Sequence, residues 1–320
     1  MYCVITTINK PTKAIDELYK RFQNKLLIIG DKKTPRDWNY YGLVPYMASL
    51  AEYAPDNSYA RKNMGYMVAI ANGAKLIYDT DDDNIPNEQW KVRGNKTAAC
   101  VSNSKGWHNV YIHFTNKNIW PRGFPLNHVN GLASFDGRYE VNSSIQQGLA
   151  NEDPDVDAIW RMTNRQRITF PYDRSIYLDQ FTWCPFNSQS TWWFPKAYPL
   201  MYLPQYCTMR CTDIWRSFIA QRCLWELGEG VTFHSPAEVY QERNEHDLMK
   251  DFQDEIPGYL LNEKICAILE GLTLSGSVCE NLLSCYVALV ENSILPNKEI
   301  DSVISWIKDY ENATRNIPET

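Results

Sequence analysis

At residues 76–83 an apolar triplet, Leu76-Ile77-Tyr78, runs without a break into Asp79-Thr80-Asp81-Asp82-Asp83. A short apolar run of this kind reads as a buried strand. Its end carries four carboxylates in five positions. Two unit charges ~4 Å apart repel by roughly 4 kcal/mol at an effective dielectric of ~20. Such a strand end has to face water or a cation. The preceding residues say where in a fold it lies. Residues 2–7 are a β-branched strand, and Pro11 opens a helix carried to Phe22 by Ile15, Leu18 and Tyr19. Residues 26–29 form a continuous apolar strand ending in Gly30-Asp31. Asn57 or Ser58 caps the next helix, whose Met64, Met67, Val68 and Ala71 fall at i, i+3, i+4 and i+7 before Gly73 ends it. This β-α-β-α-β order predicts a parallel sheet with right-handed crossovers. In such sheets ligands bind beyond the carboxyl ends of the strands. Those ends bring together Thr6, Thr7, Asp31 and the acidic run.

Oxygen ligands of this kind select Mg²⁺ or Mn²⁺ over softer metals. Alternation along an extended chain puts Asp79, Asp81 and Asp83 on one side and Asp82 on the other. The loop and distal Glu of an EF-hand are missing. A bound cation would in turn neutralise a phosphate-bearing ligand. Arg61 and Lys62 lie in the first turn of their helix, where cations oppose the macrodipole, and a diphosphate there would relieve that opposition. The alternatives are a solvated acidic turn and two cations reaching into solvent. No Walker A loop and no G-x-G-x-x-G sequence is present, so P-loop and dinucleotide-fold chemistry are unsupported.

Residues 91–210 read as ordered loops and short strands, with no segment of linker composition. A strong helix starts at Thr212 or Asp213, steps through Trp215, Ile219, Cys223 and Leu227, and stops at Gly228. Further helices are expected over 260–271, 278–293 and 299–310. This divides the chain into an α/β domain over 1–258 and a C-terminal helical extension over 259–320. At 320 residues, about three quarters of the unfolded surface is buried on folding. With 44% hydrophobic and 22% charged residues, disorder, collagen and coiled coil are excluded. A net charge of −6 argues against a nucleic-acid partner. No apolar run is long enough for a transmembrane helix, and the N-terminus lacks the pattern of a signal peptide. The nine cysteines are odd in number and scattered, which suggests free thiols. Cys207 and Cys211 have no second pair and do not suggest zinc. A soluble cytoplasmic protein is the expectation.

The blocks VITTINKPT, GDKKTP, NSYARKNMGYMVAIANGAKLIYDTDDDN, WPRGFPL, DPDVDAIWR, FNSQST, TDIWRSFIAQRCLWELG and FHSPAEVYQERNEHDLMKDFQDEIP resemble, in order, the STELLO-type glycosyltransferases. That resemblance implies a GT-A-like fold, a parallel-rich mixed sheet flanked by helices. It also implies nucleotide-sugar binding, with UDP the expected nucleotide, and a metal at an Asp-x-Asp motif. Plant members are Golgi proteins linked to assembly of cellulose synthase complexes, so a Golgi-associated location and a non-catalytic scaffold role are implied alternatives. A weaker resemblance is to the UDP-arabinopyranose mutases, through Asp81 to Asp83, Arg122 to Pro125, Asp213 to Trp215 and His234-Ser235. It implies a sugar carried on Arg122.

With these resemblances in view, each candidate takes a role. Asp81 and Asp83 are metal ligands, with Mn²⁺ or Mg²⁺ the metal, and His234, after an expected strand over 231–233, would complete the shell. Asp79 would contact a ribose or an ordered water. Thr6, Thr7, Asp31, Arg61, Lys62 and Asn187 line the nucleotide-sugar site. Arg122 would bind the diphosphate, and Asp213, at a helix start, would take the proton of an acceptor hydroxyl. Ser188 and Gln189 would join Asn187 on sugar hydroxyls. Trp183, Trp192 and Trp193 offer a stacking platform, with core packing expected for at least two. The expected partners are a nucleoside diphosphate sugar and a glycan or other hydroxyl acceptor.

Overall fold

The computed structural model describes residues 1–35, 55–164, 166–241 and 247–315. Its N-terminal part follows the predicted order: β1 (Tyr2–Thr6), α1 (Lys13–Phe22), β2 (Leu26–Ile29), α2 (Lys62–Ala71) and β3 (Ile77–Thr80). β1 lies between β2 and β3 and is parallel to both. The Thr12 hydroxyl caps α1 by accepting from the Ile15 N–H. Ser58 caps a single 3₁₀ turn, Tyr59–Arg61, that leads into α2.

Period-two alternation then decides which side chains meet which helix. Cys3, Ile5, Leu26, Ile28 and Tyr78 point to the face covered by the α1 residues Ile15, Leu18 and Phe22. Val4, Leu27, Ile29 and Ile77 point the other way, against Met64 and Met67 of α2. Helix α2 sits so close to this face that a Cβ on Gly65 would overlap Val4 Cγ1 and lie 3.0 Å from Ile29 Cγ1. Asp79 has the parity of Ile77, so it faces α2.

The chain continues through β4 (Asn84–Pro86), β5 (Lys96–Ser102), β6 (Gly106–Trp107), β7 (Phe135–Asn142), β8 (Ile145–Gln147), β9 (Ala150–Asn151) and α3 (Ala158–Thr163). Then come β10 (Arg174–Leu178), β11 (Thr182–Trp183), β12 (Ser190–Trp193), α4 (Met209–Glu226), β13 (Val231–Ser235) and β14 (Val239–Gln241). The chain ends in α5 (Leu248–Glu270), α6 (Val278–Glu291) and α7 (Lys298–Thr314). The main sheet has the order β2-β1-β3-β12-β8-β13-β10-β5-β7. It is mixed: β12 is antiparallel to both β3 and β8, whereas β13 is parallel to β8 and β5 to β10. A small sheet, β4-β14-β9, grows directly from the acidic turn, and β11 pairs with β6. This is an α/β architecture with a mixed sheet flanked by helices, as the resemblance implies, but the main sheet is not parallel-rich: four of its pairings are parallel and four antiparallel.

Three boundaries differ from the sequence reading. Helix α4 starts at Met209, not at Thr212 or Asp213. Asp213 is therefore one full turn inside it, beyond the reach of first-turn dipole stabilisation. The reason is packing: every residue from Cys211 to Trp225 is buried, so α4 has no solvent face to mark its limits. His234 lies within β13, not after the strand. Helix α5 begins at Leu248 and runs through Pro257, so the division drawn at residue 258 falls inside a continuous helix. Ile265, Leu289 and Trp306 of α5, α6 and α7 share one core with Val4 and Ile77 of the sheet. The C-terminal helices complete the domain's interior.

The nine cysteines are free thiols, and Cys223 Sγ lies 3.8 Å from Cys285 Sγ without a disulfide. Among the described residues, no helix is long and apolar enough to cross a membrane.

Candidate active site

The end of β3 is built around a buried lysine. Lys62, in the first turn of α2, is fully buried. Its Nζ donates to Asp79 Oδ1 at 2.9 Å, to Asp81 Oδ1 at 2.7 Å and to the Tyr59 hydroxyl at 2.9 Å. The Tyr59 hydroxyl donates in turn to Asp81 Oδ1 at 2.7 Å. Burial by itself would depress the Lys62 ammonium, but Asp79 and Asp81 outweigh it and hold it well above its ordinary range. Asp79 and Asp81 thus point to one side, as alternation predicts. Asp82 points to the other, where the Thr7 hydroxyl donates to it at 2.5 Å and Asn9 Nδ2 at 3.1 Å. Asp83 accepts from Gln241 Nε2 at 2.6 Å and from Asn84 Nδ2 at 3.0 Å. Burial, then the Asp81 charge, pushes the Asp83 carboxyl up to about 7.

From Asp79 a chain of buried ion pairs crosses the interior. Arg216 of α4 donates through Nη1 to Asp79 Oδ2 and to the Tyr66 hydroxyl, each at 3.2 Å, and through Nη2 to Ser188 Oγ at 2.7 Å. The Ser188 N–H donates to Asp213 Oδ2 at 3.3 Å. Asp213 precedes Arg216 by three residues, which places both on one face of α4. Arg122 forks onto Asp155, Nε to Oδ1 at 2.7 Å and Nη2 to Oδ2 at 2.8 Å, and reaches Asp213 Oδ2 at 2.9 Å. Its Nη1 donates to the Arg210 carbonyl. Asn187 Nδ2 donates to Asp155 Oδ2 at 2.9 Å, and Asn187 Oδ1 accepts from Gln147 Nε2 at 3.1 Å. Burial opposes the charged form of Asp155, but Arg122 overrides it and holds the carboxyl below its ordinary value.

The structure therefore brings most of the expected residues together, but not all in the expected manner. Thr7, Lys62, Asp79, Asp81 and Asp83 converge at the strand ends. Arg61 is buried beside them, its Nε donating to the Gly30 carbonyl at 2.7 Å and lying 4.0 Å from Asp31. Thr6 closes β1 opposite Ile29. Arg122, Asp213 and Asn187 stand at the far end of the ion-pair chain. Asp213 has both oxygens on Arg122, and every guanidinium nitrogen of Arg122 donates a hydrogen bond. His234 is apart from this assembly. Its Nε2 lies 2.9 Å from Gln146 Oε1 and its Nδ1 2.8 Å from Ser175 Oγ. Burial, then Arg93 and Lys91, pushes it well below the usual histidine range, so it is a neutral core residue with both nitrogens engaged. Trp183, Trp192 and Trp193 are all at most 1% exposed and pack in the core.

The sequence reading missed Arg216, Asp155, Tyr59 and Gln241. Arg216 carried one usable signal, its i+3 spacing from Asp213.

For a divalent ion the available donors are Asp81 and Asp83. Asp81 Oδ2 has no hydrogen-bond partner among the described residues, and the side chain is 29% exposed. No three His, Cys, Asp or Glu side chains among the described residues could hold a metal by themselves. Mg²⁺ is commonly held by one or two carboxylates together with substrate phosphates. Two carboxylates, one of them keeping an oxygen at the surface, fit that mode of binding.

Two comparisons bear on the chain. Residues 210–319, from α4 to the end of the helical extension, match the family model described as STELLO glycosyltransferases. The chain is 28% identical over 346 residues to "Probable glycosyltransferase STELLO1" of Arabidopsis thaliana, covering 96% of this chain and 44% of that protein. It is 26% identical over 342 residues to "Probable glycosyltransferase STELLO2" of the same plant, with the same coverages. The chain thus spans less than half the length of the curated relatives it matches. The resemblance drawn from the sequence blocks is borne out over nearly the whole chain.

Proposed function

We propose that this STELLO-like chain is a glycosyltransferase that takes a sugar from a nucleoside diphosphate sugar, with uridine as the base, and passes it to a hydroxyl acceptor. Asp81 and Asp83 would hold Mn²⁺ or Mg²⁺ together with the diphosphate. The ion, when bound, supplies positive charge to the departing diphosphate. Lys62 fixes Asp81 and Asp79 in place and keeps the turn from flying apart before a ligand arrives. Thr7 holds Asp82 away from the ligand side. Arg216, Asp213, Arg122 and Asp155 lock α4 and the loop at residues 121–123 to the strand ends, which makes them positioning residues. Asp213 is in this arrangement the partner of Arg122, and another group takes the acceptor proton. A mutase with its sugar on Arg122 would first have to break the fork to Asp155.

The observation that carries this reading is the strand end itself: a buried lysine shared by two aspartates, one of which keeps a carboxylate oxygen at the surface, at the carboxyl ends of three parallel strands. The test is a thermal-shift screen of nucleoside diphosphate sugars, each with and without Mn²⁺, followed by assay of nucleotide release. Ligand-linked stabilisation follows mass action, so weak donors register at high concentration. Stabilisation that needs both sugar nucleotide and Mn²⁺, with slow nucleotide release, is the expected result. Stabilisation without any turnover would mark a non-catalytic protein that kept the fold, and no stabilisation by any sugar nucleotide would remove the donor site.

A further inference from the structure

A cleft of about 1230 Å³ lies between α1, the small β4-β14-β9 sheet and α3. Its volume exceeds the ~300–1,000 Å³ typical of sites for one drug-sized ligand, so it is suited to a chain of several units. Gln241 lines it and donates to Asp83, and β4, which lines it through Ile85 and Pro86, starts directly after Asp83, so one wall of the cleft is tied to the proposed metal site. We infer that this cleft is the acceptor site and that its occupant is an uncharged, polyhydroxylated chain, a neutral oligosaccharide. The inference rests on the glycosyltransferase reading and adds the acceptor class to it.

Charge is the first argument. Among the described residues the lining carries four cationic and four carboxylate side chains, and three of each are matched in place. Arg21 pairs with Glu17 at 3.0 Å, Arg167 with Glu152 at 2.9 Å, and Arg161 with Asp153. Lys13 lies over the Tyr240 ring, 5.5 Å from its centroid. A wall with equal numbers of both charges, most of them paired, offers no net attraction to a phosphate chain or an acidic polymer, and either would have to desolvate it. Hydrogen-bonding groups are the second argument. Asp153 is 8% exposed, and its Oδ2 has no hydrogen-bond partner among the described residues. A hydroxyl donor arriving in the cleft would supply the partner that this oxygen lacks while Oδ1 stays on Arg161. Carboxylate-to-hydroxyl hydrogen bonds are charge-assisted and about twice as strong as neutral ones. Tyr240, half-buried on the floor strand, supplies an aromatic surface for a sugar ring.

The test measures binding by calorimetry for neutral pentasaccharides of glucose, xylose, galactose and mannose, and for a pentamer of galacturonic acid. Wild type is compared with Tyr240→Ala and with Glu88→Trp, the latter placing a large ring on the exposed rim. UDP with Mn²⁺ is titrated into each preparation, and circular dichroism checks the fold. The expected result is that a neutral pentasaccharide binds wild type, that both variants bind it at least tenfold more weakly, and that UDP affinity is unchanged throughout. No binding of any neutral pentasaccharide, equal binding by both variants, or preference for the galacturonate pentamer overturns the inference. UDP binding without pentasaccharide binding defeats the cleft alone. Pentasaccharide binding without UDP binding defeats the transferase reading and leaves a carbohydrate-binding cleft.

Discussion

Replacing Lys62 by Met keeps the length of the side chain and removes its charge. The ammonium is fully buried and serves two carboxylates of different exposure, Asp79 at 0% and Asp81 at 29%. Asp81 can turn to water, so its loss resembles that of an exposed pair, ~0–1 kcal/mol. Asp79 cannot. Removing one partner of a buried ion pair costs about 3–5 kcal/mol, because a charge is left without compensation. Arg216 still holds Asp79 Oδ2 at 3.2 Å, which places the loss near the lower end. The sum is about 3–4 kcal/mol, a large fraction of the ~5–15 kcal/mol by which domains are stable. Equilibrium unfolding in urea measures it, and a double-mutant cycle of Lys62→Met with Asp79→Asn isolates the pair. The cycle should return a coupling of about 2 kcal/mol or more, whereas the cycle with Asp81→Asn should return about 1 or less. A loss below about 1 kcal/mol for Lys62→Met, or equal couplings in the two cycles, would refute the claim that Asp79 is the buried partner.

Arg122→Lys should cost about 2–4 kcal/mol in urea unfolding, because a lysine cannot fork onto Asp155 while also reaching Asp213; a change under 1 kcal/mol would contradict the geometry. Acid sensitivity should fall in His108→Gln. Burial, then His113, lowers the His108 imidazole to about 3, so the unfolded chain binds the proton that the folded chain refuses. The stability tied to this neutral histidine is present above its ordinary pKa of ~6.5 and is lost as pH falls, at up to ~1.4 kcal/mol per pH unit. Unfolding at pH 6.5 and pH 5 should therefore show a wild-type loss about 2 kcal/mol larger than that of the variant, and equal losses would rule out the buried neutral form. Glu299 in the first turn of α7 is fully buried and accepts from the Tyr202 hydroxyl at 2.6 Å and from the Gln205 and Tyr206 N–H groups. Glu299→Ala leaves those donors unpaired, at ~1–3 kcal/mol each before relaxation; hydrogen exchange should rise first in α7, and uniform exchange across the chain would speak against a local pin.

What the sequence disclosed was local. β1, β2 and β3 are legible because each is a continuous apolar run flanked by helix caps, and alternation correctly sends Asp81 and Asp82 to opposite sides. Strand β8 is Ile145-Gln146-Gln147, buried throughout. Its polar residues are paid for by hydrogen bonds to residues far along the chain, such as His234 and Asn187, and no period in a three-residue run can reveal that. Arg216 and Asp155 were missed for the same reason. Buried charges are legible only together with their partners, and those partners lie 137 and 33 residues away, at Asp79 and Arg122. His234 looked like a ligand because the strand around it reads two residues too short. The cleft depends on how α1, α3 and the small sheet pack, which no single segment encodes.

The central claim is that the carboxylates after β3 bind a nucleoside diphosphate through a divalent ion. Calorimetric titration of UDP into wild type and into Asp81→Asn, with Mn²⁺ and with a chelator, addresses it directly. The account predicts binding to wild type with Mn²⁺, at least a tenfold loss with chelator, and a similar loss in Asp81→Asn at any Mn²⁺ concentration. Equal UDP affinity in all four titrations, or none in wild type with Mn²⁺, would contradict it.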